Sequence, residues 1–254
     1  MHYMNDEQIK LYVVAHKDFD GLPEGRTVIG VGENRAISVA DVYDDCGDNI
    51  AQKNGSFCEL TALYWIWKNS DADIAGLEHY RRFFLYAKKP VCVEKVKKIL
   101  SKFDAIMPVK LYYKRSAYEQ FAREHPIGDL DETGRIIEEL CPSYKPDFDK
   151  LKKVKWLYTC NMIIAPKAVF DDYCAWLFPI LFELEKRIDL AGRDDYQRRA
   201  IGFIAERLLN VYLWHNSNLK IKRLKITPAG DMKYHSYPVA KLVYFIKTLL
   251  KMDC

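Results

Sequence analysis

Residues 73 to 84, DIAGLEHYRRFF, end an apolar run in a dense cluster of polar groups. Ile74, Ala75, Gly76 and Leu77 give way to Glu78, His79, Tyr80, Arg81 and Arg82, placing a carboxylate, an imidazole, a phenol and two guanidiniums in succession. Adjacent arginines offer forked N–H donors that fit phosphate oxygens bidentately. A carboxylate beside them can hold a metal, orient a sugar hydroxyl or fix an arginine. The combination suits a ligand that carries a diphosphate. An exposed strand end held by structural salt bridges accounts for the same residues and stays open as the plainer reading.

A second cluster closes the run VVAHKD, where His16, Lys17 and Asp18 follow Val13, Val14 and Ala15. Ligands of open α/β sheets sit beyond the carboxyl ends of the strands. If both runs lie in one parallel sheet, His16, Lys17, Asp18, Glu78, His79, Tyr80, Arg81 and Arg82 converge on one crevice. The loop DDCGDNIAQKN adds Asp45, Asp48, Asn49 and Asn54, which are able to bond ribose or sugar hydroxyls. Asp and Asn are also ordinary loop and cap residues, so this loop alone decides nothing. Asp194 and Asp195 open a helical pattern, where capping is their default role. His125 in REHPIGD stands in a polar middle segment, and a lone histidine is more often structural than catalytic. Tyr64, Trp65 and Trp67 read as core. There is no P-loop, G-x-G-x-x-G, G-x-S-x-G or H-E-x-x-H. Short acidic triplets occur by chance, and Asp71–Asp73 precedes its strand, at the wrong end of the sheet.

These groups need elements to position them. Ile9–His16 is a continuous β-branched and aromatic run, as expected of a strand buried on both faces. Turn residues follow, then a short strand RTVIGVG. Phe57–Asn69 has Leu60, Leu63, Tyr64 and Trp67 at helical spacing, with Asn54 or Ser56 to cap it. Asp71–Leu77 returns to a strand. VCVEKVKKILSKF reads as an amphipathic helix, DAIMPVK as a strand, Thr133–Leu140 as a helix and WLYTCNMIIAP as a strand. AVFDDYCAWLFPILFELEKRI is a long helix with Pro179 as a kink site. RDDYQRRAIGFIAERLLNVYLWHN is another, with two aspartates in its first turn, and Glu206 within it reads as an arginine's partner. LKIKRLKITP alternates as an edge strand. We expect one α/β domain over residues 1–235, a mostly parallel sheet with a helical C-terminal part, and a basic amphipathic helix over 236–254. In that tail Val239, Leu242, Val243, Ile246, Leu249 and Leu250 share a face beside Lys241, Lys247 and Lys251.

Composition narrows the class. The 254 residues are 49% hydrophobic and 29% charged, enough to bury a core. A net charge of +4 is too weak for a dedicated nucleic-acid binder, so no nucleic-acid partner is expected. The seven cysteines form no C-x-x-C pair and the N-terminal residues are polar, which points to a reducing cytoplasm. No run of 18 apolar residues exists.

The stretch DDCGDNIAQKNGSFCELTALYWIWKN, followed by DADIAGLEHYRRFF, resembles the DUF4422 family of bacterial capsular and exopolysaccharide biosynthesis proteins, taken to be glycosyltransferases. The resemblance continues through LYTCNMIIAPKAVFDDYCAWLFPILFELEKRID and DDYQRRAIGFIAERLLNVYL, from Leu11 to about Trp214. It implies a GT-A-like fold: a Rossmann-type sheet that binds a sugar nucleotide, then an acceptor region. Enzymes of that fold carry a metal-binding D-x-D where GLEHYRR falls here. Either Glu78 and His79 ligate Mn²⁺ or Mg²⁺, or Arg81 and Arg82 neutralise the leaving diphosphate without a metal. Two adjacent guanidiniums already supply two charges, which favours the metal-independent version.

The resemblance further implies Asp195 or Asp194 as general base, with Tyr118 and His125 as contacts to acceptor or donor. The expected activity is transfer of a hexosyl group, galactosyl in pyranose or furanose form, from a UDP-sugar to a lipid-linked oligosaccharide. The basic tail helix would then rest on the inner face of the plasma membrane, or pack against the domain or a second subunit. Two rivals share these residues: a nucleotide-sugar hydrolase, and a glycan-binding or scaffolding subunit without catalysis.

Overall fold

A computed structural model describes residues 8–33 and 35–227. The tail helix expected over 236–254 lies outside the described residues. In chain order the strands are β1 (Ile9–Ala15), β2 (Arg26–Gly30), β3 (Val42–Tyr43), β4 (Ile74–His79), β5 (Phe84–Tyr86), β6 (Lys89–Pro90), β7 (Ala105–Pro108), β8 (Leu111–Tyr112), β9 (Trp156–Leu157), β10 (Ile163–Pro166) and β11 (Ile221–Ile226). The helices are α1 (Asn54–Phe57), α2 (Leu60–Asn69), α3 (Val93–Leu100), α4 (Ala117–Glu124), α5 (Ile127–Leu140), α6 (Lys145–Asp149), α7 (Lys167–Arg187) and α8 (Ala200–His215).

Nine strands form one sheet in the order β3-β2-β1-β4-β10-β7-β11-β5-β6. β1 pairs in parallel with both β2 and β4, whereas β10 runs antiparallel to β4 and β7, and β5 antiparallel to β11 and β6. This is the α/β fold with a helical C-terminal part that the sequence predicts; the sheet is mixed, with β3, β2, β1 and β4 forming a parallel half. Alternate residues of β1 serve opposite faces. Tyr12 and Val14 join the core under α2, α7 and α8, while Leu11 packs with Val96 and Ile99 of α3 on the other side. Burial on both faces is why β1 reads as an unbroken apolar run. Gly76 is required at the sheet centre, because a Cβ there would meet Ile164 Cγ1 at 2.7 Å.

The structure departs from the sequence reading at four places that bear on the site. The helix expected from Phe57 breaks at Cys58, whose φ of 52° and ψ of −127° separate α1 from α2. The strand expected over WLYTCNMIIAP is interrupted where Cys160 and Asn161 take φ of 73° and 47°. The last long helix starts at Ala200, so Asp194 and Asp195 precede it. β11 is an interior strand between β7 and β5, not an edge; the edge beyond it is a hairpin turning at Ala87 and Lys88, both with positive φ. α7 runs on through Pro179. No helix among the described residues is long and apolar enough to cross a membrane.

Candidate active site

Beyond the carboxyl ends of β1, β2 and β4 the surface opens into a cleft of two adjoining lobes. The strand-end lobe, about 640 Å³, is walled by Val14 of β1, His16 and Val31 just beyond β1 and β2, Asn54 from α1, and Tyr80, Arg81, Asp195 and Arg198 from loops. The helix-lined lobe, about 300 Å³, lies between α4, α8 and the turn at Thr159–Cys160. Five residues line both: Cys58, Glu59, His79, Arg82 and Arg199.

β4 delivers His79 to this shared wall. Burial, with Arg82 beside it, pushes the imidazole pKa down to about 3, so the ring is neutral at physiological pH. The ring bonds the Cys160 backbone, and its Nε2 is buried without a partner. Arg82 Nε is likewise buried and unpartnered. Arg199 Nε donates to Cys58 Sγ at 3.2 Å, a soft acceptor, and its charge interacts with Glu59 on the same wall. A buried donor without partner is costly, and such groups persist where a ligand satisfies them. Glu59 stands at the N-cap position of α2 without a side-chain capping bond, and its carboxylate accepts from Asn161 Nδ2 at 2.8 Å. Glu206 of α8 accepts from the Cys160 backbone N–H at 2.8 Å and faces Arg207 at 3.3 Å. Burial raises both carboxyl pKa values. It also pushes the thiols of Cys58 and Cys160 up to about 11.

Several residues singled out in the sequence meet here. His16 and Tyr80 stand edge to face, ring centres 5.1 Å apart, on the strand-end lobe with Arg81. Asn54 lines it too, its amide donating to the Cys58 carbonyl and to Thr61 Oγ1. His125 lines the helix-lined lobe, its Nδ1 3.2 Å from Gln197 Oε1. Asp195 stands fully exposed at the rim, 3.9 Å from Arg198.

Others line neither lobe. Lys17 is an exposed loop residue. Asp48 accepts from Tyr64 Oη, and Asn49 donates to the Asp45 and Gly47 carbonyls, so both organise their own loop. Tyr118 donates to Asp131. Asp194 accepts from the Gln197 backbone N–H at 2.7 Å and caps the turn before α8.

Glu78 turns away from the cleft. It is fully buried against Arg26 Nε at 2.9 Å, and it accepts from the Phe84 N–H at 2.7 Å. Successive residues of a strand point to opposite faces, so Glu78 and His79 cannot ligate one ion. The pair therefore does not fit Mn²⁺ or Mg²⁺. Among the described residues no group of three His, Cys, Asp or Glu side chains is arranged to hold a metal.

Sequence reasoning missed Cys58, Glu59, Arg199, Cys160 and Asn161. Arg199 and Glu206 carried a signal in the helical periodicity, but their face was undefined until the start of α8 was known. The two kinks that present Glu59 and Cys160 contain neither Gly nor Pro, so no sequence signal marked them.

Fold and cleft together define a GT-A-like α/β protein with an arginine-walled site at the strand ends. The chain belongs to the DUF4422 family, described as a domain of unknown function, whose model matches residues 10–217. Its structure is similar to the apo structure of the WbbM bifunctional glycosyltransferase, at 30% sequence identity and a TM-score of 0.80 over 88% of this chain. The present chain spans 46% of that longer one. The mannosyltransferase Ktr4p of S. cerevisiae aligns over 81% of this chain and 66% of its own, but at 9% identity and a TM-score of 0.36, too low to carry an argument. Comparison with curated proteins finds no match.

Proposed function

We propose that the chain is a hexosyltransferase that moves a hexosyl group, galactosyl in pyranose or furanose form being one candidate, from a UDP-sugar to a lipid-linked glycan in capsular or exopolysaccharide synthesis, at the inner face of the plasma membrane. The strand-end lobe carries this reading: four guanidiniums, of Arg81, Arg82, Arg198 and Arg199, surround a crevice beyond the carboxyl ends of β1 and β4. Such donors suit a diphosphate and stabilise the charge that grows as it departs. The likeness to a glycosyltransferase supports the class of reaction. A metal-independent mechanism is favoured, because the arginines supply the charge and Glu78 is committed to Arg26.

The test is calorimetric binding of UDP, GDP, CMP and dTDP, each with and without Mn²⁺. UDP alone is expected to bind, and Arg81→Ala to weaken it. Binding that appears only with Mn²⁺ would refute the metal-free mechanism. No binding of any nucleotide would refute the whole reading.

A further inference from the structure

We propose that the helix-lined lobe holds the terminal sugar of the acceptor glycan, and that Glu59, on the wall between the lobes, takes the proton from its attacking hydroxyl. This rests on the glycosyltransferase reading above and assigns the second half of the same cleft.

The chemistry of the lobe is that of a sugar site. Tyr196, His125 and Phe203 form an aromatic stack along it: His125 lies 4.1 Å from Phe203 at 24° between planes, and 5.5 Å from Tyr196 at 25°. Tyr196 is 50% exposed, so a ring face stays open to a ligand. Glu124, Gln120 and Glu206 offer polar groups around it. Apolar faces with a few placed polar groups are what small polar ligands bind to, and about 300 Å³ lies at the lower end of such sites. If the diphosphate lies among the four arginines, the sugar it carries reaches toward the shared wall, with the acceptor on the other side.

Three carboxylates are candidates for the base. Asp195 lines only the strand-end lobe and is exposed at its rim. Glu206 is occupied by the Cys160 N–H and Arg207, which tie it to the turn it positions. Glu59 lines both lobes, and its hydrogen bond comes from a neutral amide. Its setting is also strained. Cys58 before it and Asn161 that holds it both take positive φ. Non-glycine residues in such conformations are strained and gather at functional sites. Burial raises the Glu59 pKa toward the range in which a general base works well.

The step balances without a further reactant. The bond between the anomeric carbon and the diphosphate oxygen breaks, its electron pair leaving with UDP toward the arginines. The acceptor oxygen bonds to the anomeric carbon, and its proton passes to the Glu59 carboxylate and then to water. Neutral His79, with Nε2 unpartnered on the same wall, accepts a hydrogen bond from a second hydroxyl.

The experiment measures UDP affinity by calorimetry, and UDP release from UDP-galactose, UDP-glucose and UDP-N-acetylglucosamine with water as acceptor, on wild type, Glu59→Gln, Glu59→Asp and Asp195→Asn. Glu59→Gln keeps an acceptor for Asn161 and is expected to bind UDP within about twofold of wild type, while release falls roughly 100-fold or more, the usual share of a general base. Glu59→Asp is expected to recover part of that loss, which a merely misfolded variant would not do. Release by Glu59→Gln at the wild-type rate overturns the proposal. So does its loss in Asp195→Asn alone, which returns the base to the rim. Wild-type protein that binds UDP but releases none from any donor also overturns the role of Glu59, whereas absence of UDP binding overturns the glycosyltransferase reading instead.

Discussion

Glu78 and Arg26 form an ion pair between two side chains that are 0% and 1% exposed, 2.9 Å apart. β2 begins at Arg26 and β4 carries Glu78, so the pair ties the first residue of one parallel strand to the end of another. Removing one partner leaves the other charged and buried, which typically costs about 3–5 kcal/mol. Arg26→Ala and Glu78→Ala are therefore each expected to lower unfolding free energy by that order in urea denaturation. If Glu78→Ala instead unfolds like wild type and changes only the response to Mn²⁺, the structural role assigned to Glu78 is wrong.

His79 gives a pH signature of known sign. Its pKa in the folded chain is pushed down to about 3 by burial and by Arg82, against 6.5 ordinarily. Between those values the unfolded chain binds a proton that the folded one does not. The contribution is thus fully present well above pH 6.5 and is lost as pH falls toward 3, at roughly 1.4 kcal/mol per unit below pH 6. The carboxyls of Glu59 and Glu206, raised by burial, act in the opposite sense. Comparing stability against pH in wild type and His79→Asn isolates the histidine. By NMR the His79 ring resonances should stay flat from pH 8 to 5; a midpoint near 6.5 would contradict the burial.

How far the sequence led can be judged from β4. The apolar run and the polar residues that end it were legible, because strands buried on both faces leave a plain signal and ligands gather at carboxyl ends. His79, Arg81 and Arg82 reached the cleft on that argument. Glu78 did not, although two-residue periodicity already places it opposite His79; its partner Arg26 lies 52 positions away, a distance no local pattern spans. Asp194 lies outside the cleft for a different reason. Acidic residues favour helix starts generally, but here the backbone first makes a capped turn, and α8 begins only at Ala200. Glu59 stayed hidden inside a helical pattern that Cys58 breaks without glycine or proline.

The segment carrying Asp195, Arg198 and Arg199 is held at its root by Arg193, which bonds Asp129 of α5 through both terminal nitrogens, at 2.5 and 2.9 Å. Both side chains are mostly buried. Arg193→Ala is expected to cost about 1.5–3 kcal/mol, the range for hydrogen bonds to charged groups, and to speed amide exchange across 194–199. Lysine cannot reproduce the two-pronged contact, so Arg193→Lys should restore little. Unchanged exchange in Arg193→Ala would show that the segment is held from elsewhere.

Cys58 offers the sharpest separation of stability from function. Its φ of 52° with ψ of −127° belongs to the region that glycine occupies freely, and a side chain there costs on the order of 1–3 kcal/mol. Cys58→Gly releases that strain but gains backbone entropy in the unfolded chain and loses the sulfur that accepts from Arg199. The net expectation is a gain of about 1 kcal/mol in unfolding free energy. Arg199, no longer held, should at the same time orient less well, and UDP affinity should fall severalfold. A variant that is less stable than wild type would mean that Cys58 contributes more through its sulfur contacts than its backbone costs. Greater stability with unchanged affinity would mean that Arg199 is positioned without the thiol.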